Sequence, residues 1–394
     1  MNIAILIPEL AGGGAERTAQ ILGDYYVEQG DKVYYFLANT NEKQDYNVKG
    51  KIINTNIKTC VNYGYSDVQR MIRLLISSFE MRRCKRKYGI DVAISFMEEF
   101  NYINILSKGR EKVITSIHSM LSVYEKIYTQ NLLYKKSIIS FFYPKSDILI
   151  VLSKISFNEM KSYYGVPATK MRIIPNMITK DLLVESEERE WTYGTKAVVC
   201  VGRLHPVKQQ ERIIRAFSYT CMKDPDARLI ILGKGEQLQY LKRVCERCHI
   251  KEKVYFVGFT DVSYYLKYAR AFVMASRAEC FPNSILEAMY YGVPIVTTDS
   301  PGGCQEIVGK SGDMHKDDSI MFCKYGILTP AMPDEKLKVS TPLIEQELIL
   351  GEAMLKVLTQ DEIYEKYREQ SLKRAEMYSI DRVIEKWNRI INRR

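Results

Sequence analysis

Short apolar runs alternate along the chain with segments whose apolar positions recur at three- and four-residue steps. The strand-like runs of the first half are Asn2–Pro8, Lys32–Leu37, Ile52–Ile57, Asp91–Phe96, Lys112–Ile117, Asp147–Leu152 and Met171–Pro175. Those of the second half are Lys196–Val201, Arg228–Leu232, Val254–Val257, Ala271–Ala275, Pro294–Thr298 and Tyr325–Leu328. Helical patterns lie between them, as at Gln209–Tyr219, Glu236–Cys248 and Asn283–Tyr291. Strands alternating with helices predict βαβ units and parallel sheets, an α/β protein. The strands are too many for one ordinary sheet. They divide around the acidic stretch Glu185–Gly194, which predicts two doubly wound domains, 1–185 and 195–375. Ligands of such sheets sit beyond the carboxyl ends of the strands. Thr359–Arg394 reads as a long helical pattern with a packed face of Ile363, Tyr367, Leu372, Met377, Val383, Ile384, Trp387, Ile390 and Ile391, and its end, about 376–394, is expected to cross back to the first domain. Gly309–Ser340 is irregular.

Composition narrows the class. With 394 residues, 46% hydrophobic and 26% charged, the chain can bury two cores, and disorder is excluded as its main state. The most apolar stretch, Ser137–Leu152, is interrupted by Pro144-Lys145-Ser146-Asp147, so no membrane-spanning helix is expected. The first residues read as a strand and not as a signal peptide, which places the protein in the cytosol as an expectation. Nine cysteines without a regular framework fit that compartment. Cys245-Glu-Arg-Cys248-His249 matches a haem-attachment string but reads more simply as a helix with two small apolar residues.

Charge is regional. Residues 51–180 hold 21 basic and 9 acidic residues, net +12, and the rest 36 and 38, net −2. Such a patch suits anionic lipid or a phosphorylated ligand, and no helix-turn-helix, zinc-finger or RNP-type signature accompanies it, so nucleic acid is not expected as a partner. Two stretches concentrate it. Arg70–Lys87 is a basic helical pattern with Met71, Leu74, Leu75 and Phe79 on another face, which also suits an ordinary surface helix. Tyr124–Lys145 mixes aromatics with lysines, and this second stretch is the one expected to touch an anionic membrane surface.

Three clusters carry candidate chemistry. Gly12-Gly13-Gly14 follows the first strand and opens a helix, which suits a phosphate or a closely approaching sugar as well as a plain tight turn. Gly202-Arg203-Leu-His-Pro-Val-Lys208 sets two cations five apart across a strand–helix turn, where they can clamp a diphosphate, although solvated loop charge has the same look. Glu279 lies at a strand's carboxyl end, Pro282-Asn283-Ser284 starts a helix with polar capping atoms, and Glu287 one turn inside can accept both hydroxyls of a ribose or simply complement the helix dipole. The one Asp-x-Asp string, Asp224-Pro-Asp226, reads as a turn. Glu98-Glu99 reads either as ligands of an acceptor or as a solvated strand end.

In this order the clusters resemble the retaining GT-B glycosyltransferases of family 4, the glycosyl transferases group 1. The resemblance covers essentially the whole chain and is most specific in Arg228–Glu306: Glu279-x7-Glu287 with Ala-Met-Tyr-Tyr-Gly-Val-Pro behind it, and Pro301-Gly-Gly-Cys-Gln-Glu306. Gly-Gly-Gly-Ala-Glu-Arg, Ile-Ile-Pro-Asn176 and Gly202-Arg-Leu-x-x-x-Lys208 are similar to family motifs. The resemblance implies two Rossmann-like domains facing a cleft, the first binding the acceptor and the second a nucleotide sugar. It implies that Arg203 and Lys208 hold the donor diphosphate, Glu287 the ribose and Glu279 the sugar hydroxyls. Gly13, Gly14, Gly202, Phe281, Pro282, Asn283 and Ser284 complete the donor site, and His118 reaches the donor sugar from the first domain. Cys280 stands where the family usually has glycine, and Gln209 where glycine is common.

The implied activity is transfer of a hexose or N-acetylhexosamine, from a UDP-sugar, to a saccharide acceptor linked to a polyprenyl diphosphate, in surface-polysaccharide synthesis. It implies retention of anomeric configuration, and the two cations and helix dipoles supply the charge that elsewhere comes from a metal, so neither a metal nor another cofactor is expected. The rivals are a catalytically inactive partner subunit, a nucleotide-sugar epimerase of the same fold, and a dinucleotide dehydrogenase, whose glycine fingerprint is missing.

Overall fold

The computed structural model describes residues 1–38, 46–55, 57, 65–128, 131–179, 190–310, 320–335 and 341–391. Cys60, His315 and the first half of the Glu185–Gly194 stretch lie outside them. The chain forms two units, Met1–Met177 with Asp381–Arg394, and Ile178–Ile380.

The first unit is a parallel sheet of β1 (Asn2–Ile7), β2 (Lys32–Leu37), β3 (Lys51–Asn54), β4 (Val92–Phe96), β5 (Lys112–Ser116), β6 (Ile148–Val151) and β7 (Met171–Ile173), in the order β3-β2-β1-β4-β5-β6-β7. Helices α1 (Gly14–Glu28), α2 (Asp67–Lys87), α3 (Glu98–Leu106), α4 (Leu121–Ile127), α5 (Lys136–Phe142) and α6 (Lys154–Ser162) connect the strands. Burial on both faces makes the central strands continuous apolar runs, Ile3 to Ile7 being wholly inaccessible, because a strand covered by helices on both sides has no solvent face to alternate with. The order reverses between β1 and β4, and the carboxyl ends of these two strands flank the crevice where such sheets bind ligands.

The second unit repeats the plan. Its strands are β8 (Ala197–Val201), β9 (Arg228–Leu232), β10 (Val254–Gly258), β11 (Ala271–Met274), β12 (Ile295–Thr298), β13 (Met321–Phe322) and β14 (Ile327–Thr329), in the order β10-β9-β8-β11-β12-β14-β13. Only the β13–β14 pair is antiparallel. Its helices are α7 (Gln210–Lys223), α8 (Leu238–Arg247), α9 (Val262–Tyr268), α10 (Asn283–Tyr290), α11 (Gly303–Val308), α12 (Glu345–Thr359) and α13 (Asp361–Glu376). The reversal falls between β8 and β11. β13 sits in the segment that the apolar pattern left irregular. A two-residue strand is too short to show a period.

The C-terminal helical pattern is two helices, α13 and α14 (Ile380–Ile391). Tyr367 of the expected packed face is buried, but the buried side of α13 continues through Ser371 and Ala375 at four-residue steps, so Leu372 and Met377 are exposed. α14 belongs to the first unit. It buries Val383, Ile384, Trp387, Ile390 and Ile391, and the Tyr26 hydroxyl donates to Asn388 Oδ1 at 2.8 Å. At the crossover the Ile178 amide donates to the Tyr378 carbonyl at 3.0 Å and the Ile380 amide to the Ile178 carbonyl at 2.9 Å, so the outgoing and returning chains run side by side.

The aromatic stretch expected at a membrane divides, with Tyr124, Tyr128 and Tyr134 half-buried. Phe142 and Tyr143 are buried, with Tyr102 stacked on Phe142 at 4.8 Å and Asn101 donating to the Tyr143 hydroxyl at 3.1 Å. Phe141 is its exposed large apolar residue. Adjacent positions on a helix point about 100° apart, so Phe142 enters the core while Phe141 faces out. The haem-like string is the end of α8: Cys245 packs in the core, and His249 ends the helix in the left-handed region with φ 56°. Asp224-Pro-Asp226 is the expected turn, with Asp224 Oδ1 accepting from the Asp226 amide at 3.1 Å and Oδ2 paired with Lys196 at 2.6 Å.

Candidate active site

At the β8/β11 reversal of the second unit, two loops meet. The chain leaves β8 through Gly202-Arg203-Leu204. The Gly202 amide donates to the Leu232 carbonyl at 2.9 Å and the Leu204 amide to the Lys234 carbonyl at 2.8 Å, which zips this loop to the one after β9. The Gly202 N–H is therefore committed, and a Cβ there would make only ordinary contacts with Lys208 and Gln210. His205 begins a short 3₁₀ turn, Pro206–Lys208, and its Nδ1 accepts from the Val207 amide at 3.2 Å. Gln209 follows in the left-handed region, φ 48° and ψ 37°, which is why a glycine is the easier residue at this point.

This turn aims Lys208 at Glu279, and the two form an ion pair with both side chains largely shielded from water. Arg203 is exposed, and no ion pair holds its guanidinium among the described residues. Glu279 is fixed by backbone contacts. Its amide donates to the Pro301 carbonyl at 3.2 Å, its carbonyl accepts from Gly303 at 2.8 Å, and it bridges to Gly302. Gly302 has φ 126°, a conformation closed to side-chain residues, and a Cβ there would overlap the Glu279 carbonyl. Cys280 is buried, and its backbone is outside the positive-φ region, so the missing glycine causes no strain there. Phe281 packs inward against Tyr378, with ring centroids 5.2 Å apart, and can face a ligand only through its backbone.

α10 starts differently from the expectation. Its N-cap is Pro282, no side chain caps it, and Asn283 and Ser284 are its first two helical residues. Its first-turn N–H groups therefore face outward without an Asn or Ser cap, as an anion site requires. Glu287 lies one turn in, half-buried. Arg203, Lys208, Glu279, Asn283, Ser284 and Glu287 thus belong to loops and a helix start at one end of one sheet. No group of three or more His, Cys, Asp or Glu side chains is placed to hold a metal ion among the described residues.

In the first unit the corresponding loops follow β1, β4 and β5. Of Gly12, Gly13 and Gly14, only Gly12 has a positive φ, 75°. Gly13 is the N-cap of α1, and a Cβ there would collide with the Glu16 carboxylate. That carboxylate occupies the start of α1, so the place suits a neutral sugar better than a phosphate. His118 follows β5, with Nε2 and Ser116 Oγ 2.9 Å apart and its ring 5.3 Å from Phe96. The residue is half-buried, and its surroundings desolvate the ring enough to push its pKa down to about 3, so the imidazole is neutral at physiological pH.

Glu98 and Glu99 start α3 and are both buried, so neither is a solvated strand end. Met97 before them is held at φ 69°, a strained position of the kind that marks functional crevices. Burial pushes the Glu98 carboxyl up to about 7, partly offset by Tyr134, and Tyr102, Tyr143 and Tyr164 also face it. Its Oε1 has no hydrogen-bond partner. The folded chain therefore holds this proton more tightly than the unfolded chain, where the ordinary value is 4.5. Stability falls as pH rises from about 4.5 to 7, by on the order of 3 kcal/mol for this group. Denaturant unfolding at pH 5 and pH 8 checks this, and Glu98→Gln is expected to flatten the difference.

Two family models match the chain, Glycosyltransferase Family 4 over residues 12–182 and Glycosyl transferases group 1 over residues 185–314. An uncharacterised glycosyltransferase of Methanocaldococcus jannaschii is 30% identical over 274 residues, 66% of this chain and 67% of that one. The chain belongs to glycosyltransferase family 4. A second relative of this family-4 chain is the N-acetylgalactosamine-N,N'-diacetylbacillosaminyl-diphospho-undecaprenol 4-alpha-N-acetylgalactosaminyltransferase of Campylobacter jejuni, 26% identical over 78% of this chain and 83% of that one. An Anabaena protein, HepE, solved with UDP and glucose, superimposes with a TM-score of 0.73 at 15% identity, covering 99% of both chains. Two parallel-sheet α/β units of this kind are the GT-B fold of the family-4 glycosyltransferases.

Two supports of the candidate site escaped the sequence reading. His205 shapes the turn that carries Lys208; its only signal was its place before Pro206. Gln210 Nε2 donates to the Arg203 carbonyl at 2.8 Å and holds the arginine's backbone, but a glutamine opening a helix carries no such message by itself.

Proposed function

We propose that this family-4 glycosyltransferase moves a hexose or N-acetylhexosamine from a UDP-sugar to a saccharide linked to a polyprenyl diphosphate, with retention, in surface-polysaccharide synthesis. One observation carries the reading: the Lys208–Glu279 pair stands beside Arg203 and the uncapped start of α10, at the β8/β11 reversal. A ligand that matches this set has an anionic part for Lys208, Arg203 and the helix N–H groups, and hydroxyls for Glu279 and Glu287. A nucleotide diphosphate sugar has both. The UDP and glucose held by the Anabaena protein support UDP as the nucleotide, and the name of the Campylobacter relative supports a diphospho-undecaprenol acceptor.

In this mechanism the bond between the sugar C1 and the diphosphate oxygen breaks, and the acceptor oxygen bonds C1 on the same face. The acceptor's proton passes to the departing phosphate oxygen. Arg203 and Lys208 are in place before the charge develops on that oxygen, so they stabilise the transition state without reorganising. They stand in for the divalent ion, and catalysis proceeds without metal. His118, neutral, hydrogen-bonds a sugar hydroxyl and does not carry the proton. The enzyme works on the cytoplasmic side of a membrane, as a peripheral protein on its anionic surface. No helix among the described residues is long and apolar enough to cross a membrane.

A nucleotide-release assay tests the reading. Purified protein is offered UDP-, GDP- and ADP-sugars, with and without EDTA, beside Arg203→Ala/Lys208→Ala. Slow release of UDP from one sugar, indifferent to EDTA and lost in the variant, is expected. Absence of both release and nucleotide binding would favour an inactive partner subunit.

A further inference from the structure

We propose that the outward face of α2 is the surface by which this protein docks on an anionic lipid bilayer. The inference rests on the reading of a membrane-linked acceptor and gives that reading a place on the molecule.

α2 has two sides with opposite fates. Its inner side holds it to the first unit: Leu74 and Met81 are in the core, and buried Lys85 reaches Glu111 at 2.9 Å and Asn104 Oδ1 at 2.6 Å. Ser66 Oγ accepts from the Gln69 amide, and Gln69 Oε1 accepts from the Ser66 amide at 2.9 Å, which closes a capping box and fixes the start of the helix. The outer side carries Val68, Ile72, Leu75, Ile76 and Phe79, between 51% and 68% exposed. Their three- and four-residue steps draw one stripe along three turns. The other exposed large apolar residues are scattered over different elements, such as Met222 on α7 and Tyr268 on α9. A single exposed apolar residue needs no account; a five-residue stripe does.

Charge decides the occupant. The same side of the helix continues as Arg82, Arg83 and Arg86, with Lys87 beside them, all exposed. None of the four is ion-paired among the described residues. The helix has two acids, Asp67 and Glu80, and Asp67 already pairs with Lys135 at 2.7 Å. An apolar stripe in line with a cation cluster matches a bilayer interface, where acyl chains meet anionic headgroups. A second copy of the chain would bring like charges to the seam, and with Glu80 as the one acid beside four cations the face keeps a net positive charge that an anionic surface complements. Ile76 and Phe79 insert below the headgroups, and the arginines sit at headgroup level. The +12 region thereby serves lipid through α2 and not through α5, where Phe142 is buried and Phe141 stands alone as an exposed aromatic.

Sedimentation with vesicles of phosphatidylcholine, with and without phosphatidylglycerol, tests the assignment. The full chain is compared with Ile76→Ser/Phe79→Ser, with Arg82→Glu/Arg83→Glu/Arg86→Glu, and with an α5 variant, Phe141→Ser on that helix joined to Lys145→Glu in the 3₁₀ turn after it. The wild type is expected to bind the anionic vesicles only, and less as salt rises. Each cation near such a surface strengthens binding about fivefold, so the charge-reversal variant weakens it roughly a hundredfold or more. The apolar variant weakens it about a hundredfold. The α5 variant binds as wild type does. All changed residues are exposed, and thermal unfolding and nucleotide-sugar hydrolysis in solution are expected to stay at wild-type values and report the fold. Wild-type binding that survives both α2 variants overturns the assignment to α2 and leaves the membrane reading standing. No wild-type binding to any vesicle overturns both. A loss of self-association in the apolar variant, with no vesicle binding by the wild type, makes the stripe an interface between copies and also overturns the proposal.

Discussion

Lys208→Ala is expected to lower kcat/KM for nucleotide-sugar turnover by about a hundred- to a thousandfold, with thermal stability nearly unchanged. The magnitude is that of removing one pre-organised charged donor from a developing oxyanion. The half-buried lysine is held by Glu279 and not by the core, so its removal leaves no cavity of consequence. It does leave Glu279 without its cation. A carboxylate near a diphosphate repels it, and part of the loss arises this way. Lys208→Ala/Glu279→Gln separates the two contributions. If the lysine acts on the diphosphate, the double variant stays at least tenfold below wild type, by about the tenfold-per-1.4 kcal/mol scale of such effects. Full recovery in the double variant would mean that Lys208 only neutralises Glu279. Steady-state UDP release across donor concentrations reads both arms and divides the loss between kcat and KM.

Glu347→Ala is expected to destabilise the second unit by about 3–5 kcal/mol, a fall in melting temperature of about 10 °C. Glu347 on α12 is wholly buried and receives two arginines from α7. Arg215 meets it through Nε at 2.8 Å and Nη2 at 2.9 Å, and Arg212 through Nη1 at 3.0 Å. The carboxylate also accepts from the Ile344 amide at 3.1 Å, which starts α12. Removing it leaves two guanidiniums in the interior with their charge uncompensated. Their remaining hydrogen-bond partners include the neutral carbonyls of Glu335, Thr341 and Pro342, and the half-buried Glu211 reaches Arg212 only at 4.0 Å. Glu347→Gln keeps the shape but halves the acceptors and should fall between. Differential scanning calorimetry checks the series, and a loss under 1 kcal/mol for Glu347→Ala would show that the arginines reach water.

The sheets were legible because parallel strands are apolar without interruption and end at polar or glycine-containing turns. β2 and β9 coincide with the expected runs, and most others differ by a residue or two at their ends. The donor-side loops were legible for a related reason. Arg203, Lys208, Glu279 and Glu287 follow strands directly, and a doubly wound sheet brings strand ends together whatever the details of packing. The roles of the glycines were legible only in part. Gly302 and Gly12 have positive φ, but Gly13 is small because Glu16 lies against it. A sequence shows that a residue is small and not which neighbour made it so.

By itself, then, the sequence determined the two-sheet α/β plan, the strand ends that carry the chemistry and the family to which they belong. These depend on order along the chain, and periodicity and spacing record order directly. The tertiary structure decided everything that depends on which face finds a partner. α2 and the Tyr124–Lys145 stretch both combine basic and apolar residues, yet α2 turns five apolar side chains outward and α5 turns Phe142 inward. Glu98 reads as an acceptor ligand or a solvated strand end, yet it is buried among tyrosines with its proton held, and Glu347, which no sequence motif marks, binds two arginines. A helical period fixes which residues share a side. What that side meets is set by elements far away in the chain, and the free energy of a charge or an apolar stripe changes sign between solvent, core and lipid.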